Sequence, residues 1–214
     1  KGKYFLDKHN CIGMPTETVY GLAANAYSSK AISKIFKLKK RPRNNPLIVH
    51  YSSLEMLKRD CVLNKNFTNL YNKFCPGPIT FILKLKKNSK ISKFVTNKKK
   101  TLAVRFPSHP KAKGLLKILN YPLAAPSANI SSRVSPVTRK HVKEEFGKKI
   151  KYIIEGGHSK IGLESTIINL TGRPEILRVG SIDINKLSKA LKVKLIYRKK
   201  TYMKVPGQNR LHYS

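Results

Sequence analysis

The stretch Lys39-Lys40-Arg41-Pro42-Arg43-Asn44-Asn45-Pro46-Leu47-Ile48-Val49-His50 joins two elements that the residue pattern predicts directly. Apolar residues at helical spacing predict a helix from about Ala31 to Lys39, and an apolar run predicts a buried strand from Leu47 to Val49. Pro42 and Pro46 restrict the residues before them to extended or turn conformations, so the helix cannot continue into this segment. The sequence therefore predicts a stiff, cation-rich loop between a helix and a strand.

The side chains of this loop suit an oxyanion such as a phosphate or a carboxylate. Arg41 offers a planar fork of donors, Lys39 a point charge and Asn45 an amide, all held on a turn with little freedom. A solvated basic turn is the alternative, because lysine is abundant throughout the chain. Polar residues elsewhere in the sequence decide between the two interpretations.

The charge of the chain is extreme. Its 214 residues include 45 Lys and Arg against 10 Asp and Glu, a formal net charge of +35. Such a charge predicts attraction to nucleic acid, nucleotides or anionic lipid. However, most of the excess is lysine scattered over predicted helix faces rather than interleaved with aromatic residues. A general compositional bias therefore explains the charge as well as a dedicated nucleic-acid groove does.

The cysteines and the hydropathy pattern bear on the compartment. Cys11, Cys61 and Cys75 are widely spaced and fit neither a disulfide framework nor a zinc site, which favours a reducing, cytoplasmic location. No apolar run approaches the roughly 20 residues that a membrane span needs, and no signal peptide opens the sequence. We therefore expect no membrane association.

Predicted strands and helices alternate along the chain, which predicts a single α/β domain with a mixed sheet. The predicted strands are Cys11 to Met14, Leu47 to His50, Thr80 to Leu85, Leu102 to Phe106, Leu123 to Ala125, Tyr152 to Ile154, Thr166 to Leu170 and Glu175 to Val179. The predicted helices are Ala31 to Lys39, one capped by Ser52 or Ser53, Phe67 to Phe74, Lys111 to Leu119, Thr138 to Phe146 and Ile184 to Leu191. Residues 86–100 are predicted to be a mobile, solvated loop.

Polar residues cluster beside several of these strands. The clusters are Thr16-Glu17-Thr18, His50, Arg105, Ser127-Ala128-Asn129 and Ser165-Thr166. Ligands usually bind at strand ends of open α/β sheets, so the clusters predict one pocket. The sequence has no GxxxxGK[ST] loop and no GxGxxG, and therefore lacks the signals of the common nucleotide-binding folds.

Seven motifs together carry a resemblance to a known family. They are Pro15-Thr16-Glu17-Thr18-Val19-Tyr20-Gly21-Leu22, Lys39-Lys40-Arg41-Pro42 with Asn45-Pro46-Leu47, Pro76-Gly77-Pro78-Ile79-Thr80, Val104-Arg105-Phe106-Pro107, Ala125-Pro126-Ser127-Ala128-Asn129, Ser165-Thr166-Ile167 and Leu177-Arg178-Val179-Gly180. In this order they resemble the YrdC-like family of threonylcarbamoyl-AMP synthases, and the resemblance covers nearly the whole chain.

The resemblance implies a fold and a reaction. The family fold is an open, twisted, mixed α/β sheet with a basic concave face. The family enzymes form threonylcarbamoyl-AMP and pyrophosphate from L-threonine, bicarbonate and ATP. The product serves the threonylcarbamoyladenosine modification of tRNA, so the downstream tRNA threonylcarbamoyl transferase machinery is an expected partner and RNA a further one. A magnesium ion is expected with ATP, while no protein-held metal and no organic cofactor are expected.

The resemblance also implies roles for particular residues. The family's catalytic tetrad falls on Lys39, Arg41, Ser127 and Asn129. The implied ATP contacts are Arg41, Asn45, Ser127, Ser135, Arg178 and Tyr213. The implied threonine contacts are Thr18, His50, Arg105, the backbone at Ala125, and Ser165. For two acids beside these motifs, Glu17 and Glu164, pairing with lysines is the alternative to a role in the site.

The sequence also predicts a division of the chain. Residues 1–198 are predicted to form the catalytic domain, and residues 199–214 an extended linker. The linker resembles that of the two-domain form of the family, whose C-terminal domain is expected to be absent here. Folding of the linker over the pocket, with Tyr213 lining the nucleotide, is one hypothesis, and a disordered tail is the other.

Two other functions remain open at this point. A double-stranded RNA-binding or tRNA-binding module without catalysis would account for the charge. A carbamoyl-transfer domain of the kind used in hydrogenase maturation resembles the same family, although it normally lies in a much larger chain. Pyrophosphate release that depends on threonine distinguishes the synthase from both.

Overall fold

The computed structural model describes residues 1–195 and residue 197. The predicted linker over residues 199–214, and with it Tyr213, lies outside the described residues. Within the described part of the chain, the strands form one mixed sheet, which confirms the predicted fold class. The strands are β1 (Ile12–Met14), β2 (Gly21–Asn25), β3 (Ile48–His50), β4 (Cys61–Val62), β5 (Ile79–Leu85), β6 (Thr101–Arg105), β7 (Leu123–Ala124), β8 (Thr166–Asn169) and β9 (Glu175–Arg178).

The sheet has the strand order β1-β2-β7-β3-β6-β5-β8-β9, and β4 pairs with β5 outside this path. The pairs β3–β6 and β5–β8 are parallel. The other described pairs are antiparallel. The end of β3 and the end of β6 therefore lie side by side, next to the beginnings of β5 and β8.

Helices pack around this sheet. They are α1 (Gly2–Asp7), α2 (Ser29–Lys39), α3 (Leu54–Asp60), α4 (Lys65–Phe74), α5 (Lys93–Thr96), α6 (Pro110–Lys117), α7 (Arg139–Phe146) and α8 (Ile184–Leu191). A short 3₁₀ turn, Gly147–Lys149, follows α7. Among the described residues, no helix has the length and apolar character that crossing a bilayer requires.

Helix α2 ends where the proline pattern predicts. Ser28 caps its start by accepting a hydrogen bond from the backbone of Ala31, and Lys40 takes a left-handed conformation (φ 49°) at its end. The backbone N–H of Arg41 then donates to the carbonyl of Phe36 at 3.0 Å, which closes the last turn. The cation-rich loop thus leaves the helix in a fixed direction.

The two faces of the sheet differ in what they bury. Val49 in β3 and Val104 in β6 belong to the main hydrophobic core. Ile48 and Ala103, their neighbours in sequence, belong to a small separate cluster. Because side chains alternate across a strand, the residues that follow in the same register as Ile48 and Ala103 lie on this second face. That face carries the candidate site.

Several parts of the prediction differ from the structure. Residues 86–100 were predicted to be a solvated loop, but they contain α5 and bury Ile91 and Val95 in the main core. Helix α1 precedes the first strand, which was predicted to open the chain. Strand β2 was not predicted, and the predicted strand Tyr152 to Ile154 is reduced to one bridge between Gly13 and Ile153.

Candidate functional site

A cleft lies on the second face of the sheet. Eight of the residues that the sequence singled out line it: Thr18, Arg41, His50, Ala125, Arg105, Ser127, Ser165 and Arg178. The polar clusters therefore converge in one pocket, as predicted. His50, Arg105 and Arg178 are each the last residue of their strand, as the strand-end prediction requires.

Strand register positions the side chains of the cleft. His50 in β3 pairs with Arg105 in the parallel strand β6. Thr80 at the start of β5 pairs with Arg105 from the other side. Arg178 at the end of β9 pairs with Ile167 near the start of β8. Residues far apart in the sequence thus reach one cleft because their strands are neighbours in the sheet.

One end of the cleft holds a buried ion pair, and we refer to Glu17, His50 and Arg105 as the balanced end. A guanidinium nitrogen of Arg105 lies 2.7 Å from Oε1 of Glu17, and the backbone N–H of Ser108 donates to Oε2 at 3.0 Å. Burial alone raises the pKa of Glu17, but the charge and hydrogen bond of Arg105 outweigh burial and hold that pKa below its usual value. The pair has no net charge.

His50 adds an uncharged group to the balanced end. Its ring is buried. Burial and, secondarily, the charge of Arg105 lower the pKa of His50 to about 3, so the imidazole is neutral near pH 7. Within the described part of the chain, Nδ1 of His50 and Nε of Arg105 are buried without a hydrogen-bond partner. Buried polar atoms without a partner are rare, which marks this end of the cleft as a place where polar groups await a partner.

The other end holds more positive charge, and we refer to Lys39, Arg41, Glu164 and Arg178 as the cationic end. The guanidinium of Arg178 pairs with Oε2 of Glu164 and also donates to the carbonyl and the hydroxyl of Ser165, at 3.0 and 3.1 Å. The hydroxyl of Ser135 donates to Oε1 of Glu164 at 3.1 Å. One carboxylate thus lies among three cationic side chains.

Arg41 keeps its charge at this end. Its guanidinium donates to the backbone carbonyls of Asn45 (3.2 Å) and Pro46 (3.0 Å), which holds the loop after α2 in shape. Burial, partly offset by the nearby Glu164 carboxylate, lowers the pKa of Arg41 to about 10. The side chain is therefore still a cation at neutral pH.

Lys39 lies behind the wall of the cleft rather than on it. Its ammonium donates to the backbone carbonyls of Ser127, at 2.6 Å, and of Asn129. The side chain is 1% exposed. Burial and, secondarily, the charge of Arg41 lower the pKa of Lys39 to about 7. Lys39 therefore fixes the 127–129 loop against α2 and carries a charge that depends on pH near neutrality.

The remaining predicted residues lie beside the cleft or outside the described chain. Asn129 is buried, and its amide donates to the carbonyls of Ile130 (2.9 Å) and Arg133 (2.6 Å). Asn45 contributes its backbone carbonyl to Arg41. Tyr213 lies outside the described residues. The roles that the resemblance implies for all of these residues stay predictions.

The two acids pair with arginines of the cleft, Glu17 with Arg105 and Glu164 with Arg178. Pairing with lysines was the alternative that the sequence left open for them. The signal in the sequence was their position, because Glu17 directly precedes Thr18 and Glu164 directly precedes Ser165. A carboxylate adjacent to a predicted contact residue enters the same cleft, where arginine is the nearby cation.

Comparisons with known proteins agree with this geometry. The family model for Sua5, YciO and YrdC proteins, described as "Telomere recombination", matches residues 4–180. The threonylcarbamoyl-AMP synthase of Pyrococcus abyssi is 40% identical over 220 residues, which cover 98% of this chain and 63% of that protein. The threonylcarbamoyl-AMP synthase of Schizosaccharomyces pombe is 38% identical over 236 residues, covering 95% of this chain and 58% of the yeast protein.

A solved structure is similar over the same region. The crystal structure of Pyrococcus abyssi Sua5 complexed with L-threonine superposes with a TM-score of 0.91 at 37% identity, covering 99% of this chain and 64% of that one. The present chain thus spans less than two thirds of the length of these relatives. Because the family model matches most of the chain, the chain belongs to the Sua5/YciO/YrdC family.

Proposed function

We propose that this chain carries threonylcarbamoyl-AMP synthase activity, forming threonylcarbamoyl-AMP and pyrophosphate from L-threonine, bicarbonate and ATP. The observation that supports it most is the division of charge in the cleft, with a neutral ion pair at one end and excess cations at the other. The product would serve the modification of tRNA through a transferase partner, as it does in the family that the motifs resemble.

The balanced end suits the amino acid. Threonine has a carboxylate, an amine and a hydroxyl, and as a zwitterion it has no net charge. Nε of Arg105 offers a donor to the carboxylate, while neutral His50 and the hydroxyl of Thr18 offer partners to the amine or hydroxyl. The solved complex of the Pyrococcus abyssi relative with L-threonine supports threonine as the amino-acid substrate.

The cationic end suits the triphosphate. Arg41 and Arg178 line the cleft there. Lys39 lies behind Ser127, close enough for the charge of Arg41 to lower its pKa. Arginine binds phosphate oxygens through its planar fork, and buried cations act most strongly where water is excluded. The hydroxyls of Ser127 and Ser135 would add donors to the same nucleotide.

The chemistry then follows from bringing two anions together. The threonine nitrogen bonds to the carbon of bicarbonate with loss of water, and an oxygen of the resulting carbamate attacks the α-phosphorus while pyrophosphate leaves. Arg41, Arg178 and Lys39 would reduce the repulsion between carbamate and triphosphate and stabilise the charge that develops during transfer. Positioning of the two reactants in one cleft would supply much of the remaining rate.

Magnesium is expected to arrive with the nucleotide rather than to occupy a protein site. The described residues contain no group of three or more His, Cys, Asp or Glu side chains that could hold a metal ion. The acids at the cleft, Glu17 and Glu164, are engaged by arginines. In this proposal, phosphate oxygens and water would supply most of the ligands of the magnesium ion.

The test is pyrophosphate release from labelled ATP in the presence of bicarbonate. We expect release that requires threonine and that falls by at least about 100-fold in Arg41→Ala, because one preorganised cation at the transferring phosphate is worth that much. Circular dichroism would show that the variant is folded. Full turnover by Arg41→Ala, or release without threonine, would contradict the proposal.

A second candidate function is RNA binding without catalysis. A separate groove beside α7 is lined by five cations, and its acid Glu155 already pairs with Arg139 at 3.2 Å. The cations are Arg139, Lys140, Lys143, Lys148 and Lys151. Tight, salt-dependent RNA binding together with no threonine-dependent pyrophosphate release would favour this function.

A further inference from the structure

We propose that Glu164 is a built-in substitute for a phosphate group, which occupies the cationic end in the free protein and competes with the nucleotide for it. The carboxylate would thereby set the affinity of the cleft for nucleotide. This role rests on the proposed function and deepens it, because it concerns the same phosphate-binding end.

The contacts of Glu164 are those expected of a phosphate oxygen. Ser135 and Arg178, both implied as ATP contacts, donate to its two carboxylate oxygens. Its charge also raises the pKa values of Lys39 and Arg41, so it lies within electrostatic reach of both. Carboxylate and phosphate oxygens accept from the same arginine fork. One carboxylate thus takes the donors that a bound triphosphate would need.

Glu164 is also placed so that it can be displaced, unlike Glu17. Two described donors to the Glu164 carboxylate, Ser135 and Arg178, are side chains, which can change rotamer. Glu17 is instead held by a backbone N–H, that of Ser108, as well as by Arg105. The side chain of Glu164 is 16% exposed at the cleft, against 9% for Glu17. A phosphate can therefore reach the Glu164 site without unfolding its surroundings.

Two other roles for Glu164 make different predictions. If it served only to orient Arg178, its removal would weaken anion binding. If it were a magnesium ligand, its oxygens would be open to the metal, whereas both accept hydrogen bonds from the protein. If Glu164 competes with phosphate, its removal would instead strengthen anion binding, because Arg178 loses its paired carboxylate and Arg41 and Lys39 lose a nearby negative charge.

The experiment measures binding of inorganic pyrophosphate and of ATP by calorimetry. Glu164→Gln keeps the shape of the side chain and removes its charge. We expect Glu164→Gln to bind pyrophosphate at least about 10-fold more tightly than the wild type, with a steeper salt dependence. The matched control is Asp7→Asn, which removes an acid from an exposed lysine pair that lines neither the cleft nor the groove beside α7, and should change the affinity by less than about 2-fold. Equal or weaker binding by Glu164→Gln would overturn the proposal.

A thermal measurement separates this effect from a change in folding. Without ligand, Glu164→Gln should melt at a lower temperature than the wild type, because Arg178 loses its paired carboxylate and the cationic end loses its negative charge. Added pyrophosphate should raise its melting temperature more than that of the wild type. A variant that stays unfolded in excess pyrophosphate would also overturn the proposal, since the added anion should replace the carboxylate.

The outcomes also separate this role from the proposed enzyme activity. Tighter pyrophosphate binding by Glu164→Gln, without threonine-dependent turnover by the wild type, would support the competitor role and contradict the synthase function. Turnover by the wild type, with unchanged or weaker pyrophosphate binding by Glu164→Gln, would contradict the competitor role alone.

Discussion

The two ends of the cleft are built from the same parts in different proportions. Each has an arginine paired with a glutamate, Arg105 with Glu17 and Arg178 with Glu164. At the balanced end the third group is a neutral histidine, His50. At the cationic end the additional groups are cations, Lys39 and Arg41.

This difference indicates how one cleft can bind two unlike molecules, each at its own end. A neutral end with unpartnered polar atoms accepts a zwitterion without a large charge imbalance. An end with excess cations accepts a polyanion and disfavours a neutral molecule. The predictions below test the difference, beginning with the largest expected effect.

The two arginine pairs should differ in what they contribute to stability. In Arg105→Met, Glu17 is left buried without its cation, and we expect a loss of about 3–5 kcal/mol in the free energy of unfolding. In Arg178→Met the loss should be smaller, because Glu164 is more exposed and remains near Arg41 and Lys39. Urea unfolding of both variants measures the difference.

A double variant provides the control for this comparison. Glu17→Gln/Arg105→Met removes the unpaired charge and should recover part of the stability that Arg105→Met loses. Equal losses of unfolding free energy in Arg105→Met and Arg178→Met would show that the two arginine–glutamate pairs contribute equally to stability, against this prediction.

Gly180 tests how tightly the cationic end is packed. A Cβ at this position would lie 2.3 Å from the backbone nitrogen of Thr166 and 2.5 Å from the carbonyl oxygen of Glu164. Backbone atoms cannot move aside cheaply, so Gly180→Ala should lower the free energy of unfolding by about 1–3 kcal/mol and weaken nucleotide binding. Gly172→Ala is the matched control, since nothing lies within 4 Å of its Cβ. Similar unfolding curves for both variants would contradict the packing argument.

Acid should weaken the balanced end through His50. Its pKa is about 3 in the folded protein and 6.5 ordinarily, so the unfolded chain takes up a proton that the folded chain does not. Stability from this group is therefore lost as the pH falls from about 6.5 towards 3. The lowered pKa of Glu17 acts in the same direction, and the charge of Arg105 opposes protonation of His50. The stability advantage of the wild type over His50→Gln should shrink between pH 7 and pH 4, measured by urea unfolding, and an unchanged difference would contradict the assignment.

Lys39 should make the binding of ATP at the cationic end depend on pH, because ATP binding favours its protonated form. This effect should be smaller than the acid effect at His50. Because its pKa is lowered to about 7, Lys39 is mostly neutral at pH 8, and a bound triphosphate favours its charged form. ATP binding at pH 8 should therefore take up a fraction of a proton in the wild type and less in Lys39→Met. Calorimetry in two buffers of different ionisation enthalpy measures the uptake, and identical uptake in both proteins would rule out Lys39 as its source.

The sequence predicted the elements that have clear local patterns. The apolar run before His50 and the proline-bounded end of α2 were both found where expected. Strand β2 was missed because Gly21–Asn25 is rich in alanine, which has little strand propensity. In residues 86–100, the density of lysine concealed Ile91 and Val95, whose burial depends on the neighbouring α2 and sheet.

The sequence predicted which residues line the cleft better than it predicted which of them pair with one another. Eight of the predicted residues line it, because the motifs lie beside strands that the fold brings together. The pairing of Glu17 with Arg105 joins residues 88 positions apart and depends on the register of β6, which no local pattern specifies. The position of Lys39 behind the wall likewise depends on the path of the 127–129 loop.

The most direct test of the two-ended cleft is to measure the binding of L-threonine and of ATP to the same pair of variants. Glu17→Gln/Arg105→Met should bind threonine at least about 10-fold more weakly, because it loses a charge-assisted hydrogen bond, and should bind ATP within about 3-fold of the wild type. Arg41→Met should do the reverse. If either variant weakened the binding of threonine and of ATP by similar factors, the difference in charge between the two ends would not determine where each substrate binds.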